Sequence, residues 1–175
     1  MTGHIASDLR VECYIRGDTY GTYDRQRAVL DRVQDLEAEG VLANADIAAS
    51  WQRIRTPEQD SRDDAIGTYE EFREWAQTNG YNLEPAFQRR QRSYVGTDRV
   101  HDVVVFPMVS LAVYEGSDLV AVLPCSDERG AIHFGVRDCL DALEAGETEW
   151  LERFSPVTVN RIEPRLTVSA ASNRA

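Results

Sequence analysis

Hydrophobic and polar positions alternate cleanly at 8–16, DLRVECYIR: Leu9, Val11, Cys13 and Ile15 fall on one side, Arg10, Glu12, Tyr14 and Arg16 on the other. This period of two predicts a strand with one buried and one polar face. The loop GDTYGTYD follows, then QRAVLDRVQDLEAEG, in which Val29, Leu30, Val33 and Leu36 share one helical stripe. Thr22 or Asp24 suits the N-cap, and Gly40 suits the left-handed residue that ends a helix. Alternation returns at 44–54, NADIAASWQRI, with Ala45, Ile47, Ala49 and Trp51 inward. Strand, helix and strand within about 45 residues predict a right-handed βαβ crossover.

TPEQDSRDD is a polar loop with Ser61 as a candidate N-cap. The next helix, over roughly 62–79, turns Ile66, Tyr69, Phe72 and Ala76 inward and stops at Asn79-Gly80. From 86 to 125 the period becomes two or disappears. FQRRQRSYV, VHDVVVFPMVSLAVYEG and DLVAVLPC read as antiparallel strands, with Glu115-Gly116-Ser117-Asp118 as a hairpin turn. Pro107 cannot donate to a ladder, so it predicts a bend that splits the long run. A last helix covers about 136–145 and ends at Gly146, after which Trp150, Leu151 and Phe154 are free to pack. The order predicts an α+β fold: one domain over 1–163, a mainly antiparallel sheet with about three helices laid over one face, beginning with a β-α-β unit. Residues 164–175 read as a flexible tail.

The strands within 103–123 are apolar on both faces, with Val104, Phe106, Met108 and Ala112 on one and Val103, Val105, Val109, Leu111 and Val113 on the other. A helix, the C-terminal segment or a second subunit must cover the second face, so a homodimer enters the expectations.

Composition changes this picture in one respect. The 175 residues suit one domain and bury enough surface to fold without metal or disulfide. Acidic residues number 30 against 19 basic ones, for a net charge of −11, and every basic residue is Arg. An acidic, lysine-free surface suits a cytoplasm of molar salt, where the Debye length shrinks to about 3 Å. A GC-rich, mildly acidic mesophile is the alternative origin. This charge argues against broad nonspecific binding to nucleic acid but leaves room for a local basic patch. The longest apolar run, Val103 to Val109, is far short of the roughly 20 residues of a membrane span. No membrane partner is expected. The N-terminus lacks the pattern of a signal peptide, and three irregularly spaced cysteines make no disulfide framework, so a reducing cytoplasm is expected.

Candidate chemistry concentrates in LPCSDERGAIHFGVRDCL (123–140). Cys125-x7-His133-x5-Cys139 has no close ligand pair and no fourth ligand, so no metal site is expected. Val136, Cys139, Leu140 and Leu143 fall at helical spacing, which assigns Cys139 to a buried stripe. His133, between Ile132 and Phe134, should point outward. Cys125 is left at a strand end before Ser126-Asp127, as either a packed or a reactive thiol. The GDTYGTYD loop lacks both G-x-G-x-x-G and a Lys-bearing P-loop, and no cofactor is expected. Arg89, Arg90 and Arg92, with Tyr94 and Arg99 nearby, form the one dense basic cluster. It suits nucleic acid or an acidic partner, with Tyr94 able to stack on a base, or an exposed edge strand paired with acidic neighbours. No G-x-S-x-G or H-E-x-x-H occurs, and Glu70, Glu71 and Glu74 lie on a polar helix face.

The stretches RVECYIRG, FREWAQTNGYNLEPAF, VVVFPMVSLAVYEGSDLVAVLPCSD and VRDCLDALEAG resemble a family of small acidic haloarchaeal proteins often labelled helix-turn-helix domain proteins. The similarity covers most of 9–146 and implies no catalytic residues. A helix-turn-helix needs two helices joined by a short turn, whereas strands separate the helices expected here. The leading expectation is a non-catalytic binding or regulatory protein, transcription-related, with Arg89, Arg90, Arg92, Tyr94 and Arg99 as contacts. The alternative is a small-molecule sensor or enzyme using the Cys125–Asp127 corner with His133.

Overall fold

A computed structural model of the chain describes residues 8–17, 21–51, 54–55, 65–93, 95–96, 98, 100–147, 149–152 and 154. The alternation at 8–16 becomes β1 (Leu9–Arg16), followed by α1 (Tyr23–Ala38) and β2 (Asn44–Trp51). Thr22 is the N-cap, its carbonyl accepting the amides of Arg25 and Gln26. Gly40, at φ 76°, turns the chain in the left-handed region that only glycine enters without cost, and the Val41 amide then reaches back to the Leu36 carbonyl. The crossover places β1 and β2 side by side and parallel.

The chain continues through β3 (Ile54–Arg55), α2 (Ala65–Asn79), β4 (Tyr81–Asn82), β5 (Gln88–Ser93), β6 (Val100–Val105), β7 (Val109–Glu115), β8 (Asp118–Leu123), β9 (Cys125–Asp127), β10 (His133–Phe134), α3 (Val136–Glu144) and α4 (Glu149–Glu152). Three sheets form, in the orders β2-β1-β7-β8, β10-β9-β4 and β3-β6-β5, and every described pairing except β1–β2 is antiparallel. The fold is α+β, as expected. Pro107 falls between β6 and β7, so the long apolar run serves two sheets rather than one. Ser61 and the tail 164–175 lie outside the described residues.

Two expectations need correction. The helices do not all lie over one face. Register places Val11 opposite Val113 and Cys13 opposite Leu111, and α1 and α3 close this aliphatic side with Val33, Leu36, Cys139 and Leu140, all buried. On the opposite side Tyr14 lies opposite Ser110, and Phe72 of α2 meets the Tyr14 ring edge-on at 5.4 Å. Helical periodicity says which residues of α2 are buried, not which face of the sheet buries them. The second correction is Ile47, expected inward yet 53% exposed. It pairs with Cys13 and so keeps the expected side of the sheet, but it lies on the edge strand β2, and just past it the register shifts, with Tyr14 paired to Ala49. A one-residue shift breaks the alternation, so a single inward set cannot run from 45 to 51.

Aromatic rings join α2 to the rest. Tyr69, Phe87 and Phe106 form one cluster, and Trp75, Tyr81, Phe134 and Phe154 form another, with centroid separations of 5.0–6.5 Å. Burial of a ring such as Phe72 or Phe154, each wholly inaccessible, stabilises by about 1.5–3 kcal/mol. On this second face α2 packs against β8 from within the chain. Among the described residues no helix is long and apolar enough to cross a membrane.

Candidate nucleic-acid interface

QRRQRS forms β5, an edge strand that pairs antiparallel with β6 from Gln88 opposite Val105 to Ser93 opposite Val100. Charged side chains suit this position, since an edge with an open ladder otherwise invites unwanted strand pairing. Arg89 and Arg90 are both exposed. Arg89 Nη1 lies 3.2 Å from Glu70 Oε1 on α2, and Arg73 Nη1 lies 3.3 Å from the other oxygen of the same carboxylate. Glu70 therefore ties the ribbon to the helix. Arg90 donates to the Gln88 side chain on its own strand. Arg92 pairs with His101 along the ladder, but its side chain, like Tyr94 and Arg99, lies outside the described residues.

Glu70, on the polar face of α2 that the periodicity predicts, is bound by two arginines, of which Arg73 lies on the same helix. The i,i+3 pairing of Glu70 with Arg73 was a readable signal. The pairing with Arg89 needs the tertiary fold.

The Cys125 corner is less of a site than its residue types suggest. Register brings Phe134 opposite Cys125 and His133 opposite Ser126. Cys125 and exposed His133 border one hollow of about 250 Å³, with Leu83, Pro85 and Pro124. Asp127 does not join them, because its Oδ1 accepts the Ile132 amide at 2.8 Å. Cys125 is 4% exposed, and burial pushes its thiol up to about 12, which leaves it protonated at neutral pH. Cys139 is wholly buried on the inner stripe of α3, away from His133. Among the described residues no group of three His, Cys, Asp or Glu side chains is placed to hold a metal ion.

Three of the outward residues of β1, Arg10, Glu12 and Tyr14, pair with one another, while Arg16 Nη1 donates to the Phe106 carbonyl. Tyr14 Oη donates to Glu12 Oε2 at 2.6 Å, Arg10 pairs with Glu12, and the Arg10 guanidinium lies 4.3 Å from the centre of the Tyr114 ring. Burial and the Glu12 hydrogen bond both hold the Tyr14 phenol in its protonated form.

Among known families, the model described as a helix-turn-helix domain matches residues 4–148, most of the chain. The chain belongs to this helix-turn-helix domain family. No curated protein and no solved structure matches it. Within the matched segment of this helix-turn-helix domain protein, no two described helices follow one another: β2 and β3 separate α1 from α2, and β4 to β10 separate α2 from α3. α3 and α4 are consecutive, but α4 spans Glu149–Glu152, beyond the match, and its EWLE sequence carries no basic residue. No helix pair of the groove-reading kind occurs among the described residues, and the exposed Arg89 and Arg90 of β5 are one basic feature of the matched segment.

Proposed function

We propose that the protein is a non-catalytic regulatory module of a halophilic archaeon that binds nucleic acid, in a transcription-related role, through β5. The carrying observation is membership of a helix-turn-helix domain family over residues 4–148. Helix-turn-helix domains act on DNA, and antiparallel ribbons also enter its grooves, with arginine as the usual reader of guanine. An edge ribbon bearing exposed Arg89 and Arg90, in a sequence that also carries Arg92 and Arg99, fits that second mode. Arg89 is held by Glu70 until a phosphate competes for it. The halophilic setting rests on a net charge of −11 with arginine as the sole basic residue type.

An electrophoretic mobility assay with genomic fragments in high KCl tests this reading. Retardation by the wild-type chain, weakened when Arg89, Arg90, Arg92 and Arg99 are replaced by Ser, is the expected result. Retardation unchanged in that variant would remove β5 from the account. Absence of retardation at every salt concentration would sink the nucleic-acid role itself.

A further inference from the structure

We propose that the groove between the first turns of α1 and α3 is a binding site for a small organic monoanion, a carboxylate carried on an apolar body. The groove encloses about 540 Å³, within the usual range of small-molecule sites. Its floor is apolar: Val29, Pro107, Met108, Val109 and Val136 are each left only half-buried. Arg25 of α1 and Arg137 of α3 stand on its walls, both exposed. Neither guanidinium has an ion-pair or hydrogen-bond partner among the described residues. Arg10, Arg32, Arg73 and Arg89, by contrast, are each engaged by a carboxylate. In a chain of net charge −11, two uncommitted guanidiniums lining one groove with an apolar floor make a local positive site that an anion would satisfy.

The third charge in the groove selects among anions. Asp138 lies on the same wall, where its Oδ2 accepts the Gly135 amide at 2.7 Å and caps α3. Two guanidiniums and one carboxylate leave a single positive charge. That balance matches a monoanion, whereas a phosphate dianion would be repelled by Asp138. A bare acetate would leave the floor uncovered; a ring or branched chain covers it. The floor is held in place without a ligand, because the Met108 carbonyl accepts both the Arg16 amide and Gln26 Nε2 at 3.0 Å. The Met108 side chain, unbranched and adaptable, can shape itself to the body of the ligand. The groove also lies beyond the carboxyl end of β1, where ligands of strand–helix–strand units commonly sit. None of this depends on nucleic-acid binding.

Titration of the full chain with benzoate, benzamide and inorganic phosphate, followed by amide NMR at one fixed KCl concentration, tests the proposal. Benzoate should give saturable shifts confined to the amides of 25–29, 108–109 and 135–138. Benzamide, of the same shape but uncharged, should bind at least about tenfold more weakly, as should the Arg25→Gln/Arg137→Gln variant with benzoate, while Arg89→Gln binds like the wild type. Both altered positions are exposed, so the variant should keep its spectral dispersion. Val136→Trp, which keeps both arginines and fills the floor, should lose binding as well. Equal affinity for benzoate and benzamide, tighter binding of phosphate, shifts elsewhere, or benzoate affinity unchanged in the arginine variant would each overturn it.

Discussion

On one side of the β2-β1-β7-β8 sheet, α1 and α3 close a layer of Val11, Val33, Leu36, Leu111, Val113 and Leu140; on the other, α2 brings the rings of Tyr69 and Phe72 against Tyr14, Phe87 and Phe106. The aliphatic side packs two helices on one sheet. On the aromatic side, rings flanking β5 and β6 of another sheet meet those of α2. Phe87 precedes β5 and Phe106 follows β6, so this cluster holds the base of the arginine-bearing ribbon against α2. The same side carries polar compromises: Trp75 Nε1, Asn79 Oδ1 and Ser110 Oγ are buried without partners among the described residues, each at a cost in stability. The difference assigns positioning to the aromatic side and plain cohesion to the aliphatic one.

Truncation on each side breaks this comparison most directly. Phe87 and Leu140 are both wholly buried. Phe87→Ala should destabilise by about 3–5 kcal/mol and Leu140→Ala by about 2–5 kcal/mol, read from denaturant titrations with unchanged slope. The sides separate in a second measurement, retardation of nucleic acid per folded molecule. Phe87→Ala should lower it by loosening the foot of β5, and Leu140→Ala should leave it alone. Equal losses would mean that the aromatic cluster does nothing specific for the ribbon.

A smaller effect distinguishes the two sides by pH. On the aliphatic side, burial pushes the Cys13 thiol up to about 12 and raises Cys139 as well. In the unfolded chain these thiols ionise near 9, while the folded ones keep their protons, so above that pH the native state binds more protons. Their contribution is complete below pH 9 and is lost as pH rises towards the folded value, at most about 1.4 kcal/mol per pH unit for each thiol. On the aromatic side the affected groups are phenols: Tyr114 is pushed up from 10 to about 12 by burial and then by Glu12. Between pH 9 and 10 the decline should therefore belong to the thiols, Cys125 included, and Cys13→Ala should make it shallower there. A slope unchanged by Cys13→Ala would show that this thiol is already open to solvent.

What the sequence disclosed follows the same division. Local periodicity found β1, the stripes of α1 and α2, the break at Pro107 and the core position of Cys139, because each depends on neighbours within one or two turns. It identified Tyr69, Phe72 and Ala76 as buried but not the face they bury against, since the choice between two faces of a sheet is made by contacts far apart in the chain. Trp75, at 7% exposure, escaped notice for a related reason: its ring stacks on Tyr81, beyond the helix end. The Arg cluster was visible as composition, whereas its tie to Glu70 was not. The groove of Arg25 and Arg137 joins positions 25, 108 and 137, a triple that no spacing rule connects.

The smallest expected effect sharpens the comparison at the surface. Arg32 of α1 reaches α3 with Nη2 at 2.6 Å from Asp141 and Nε at 2.7 Å from Glu144. This clip fastens the two helices of the aliphatic side to each other, as Arg89–Glu70 fastens β5 to α2 on the aromatic side. Its atoms are solvated, so its contribution is slight and sensitive to salt. Arg32→Gln should lower the melting temperature detectably at about 0.1 M KCl and less at about 1 M, as the Debye length falls from about 10 to about 3 Å. The clip also carries an acid signature. The hydrogen bond from Arg32 holds the Glu144 carboxyl below its ordinary range, so its contribution is present above that range and lost as pH falls through the lowered value. Arg32→Gln should therefore differ from the wild type near neutrality and converge with it in acid. A difference that persists in both acid and molar salt would mean that Arg32 acts through the packing of its aliphatic stem rather than through its charge.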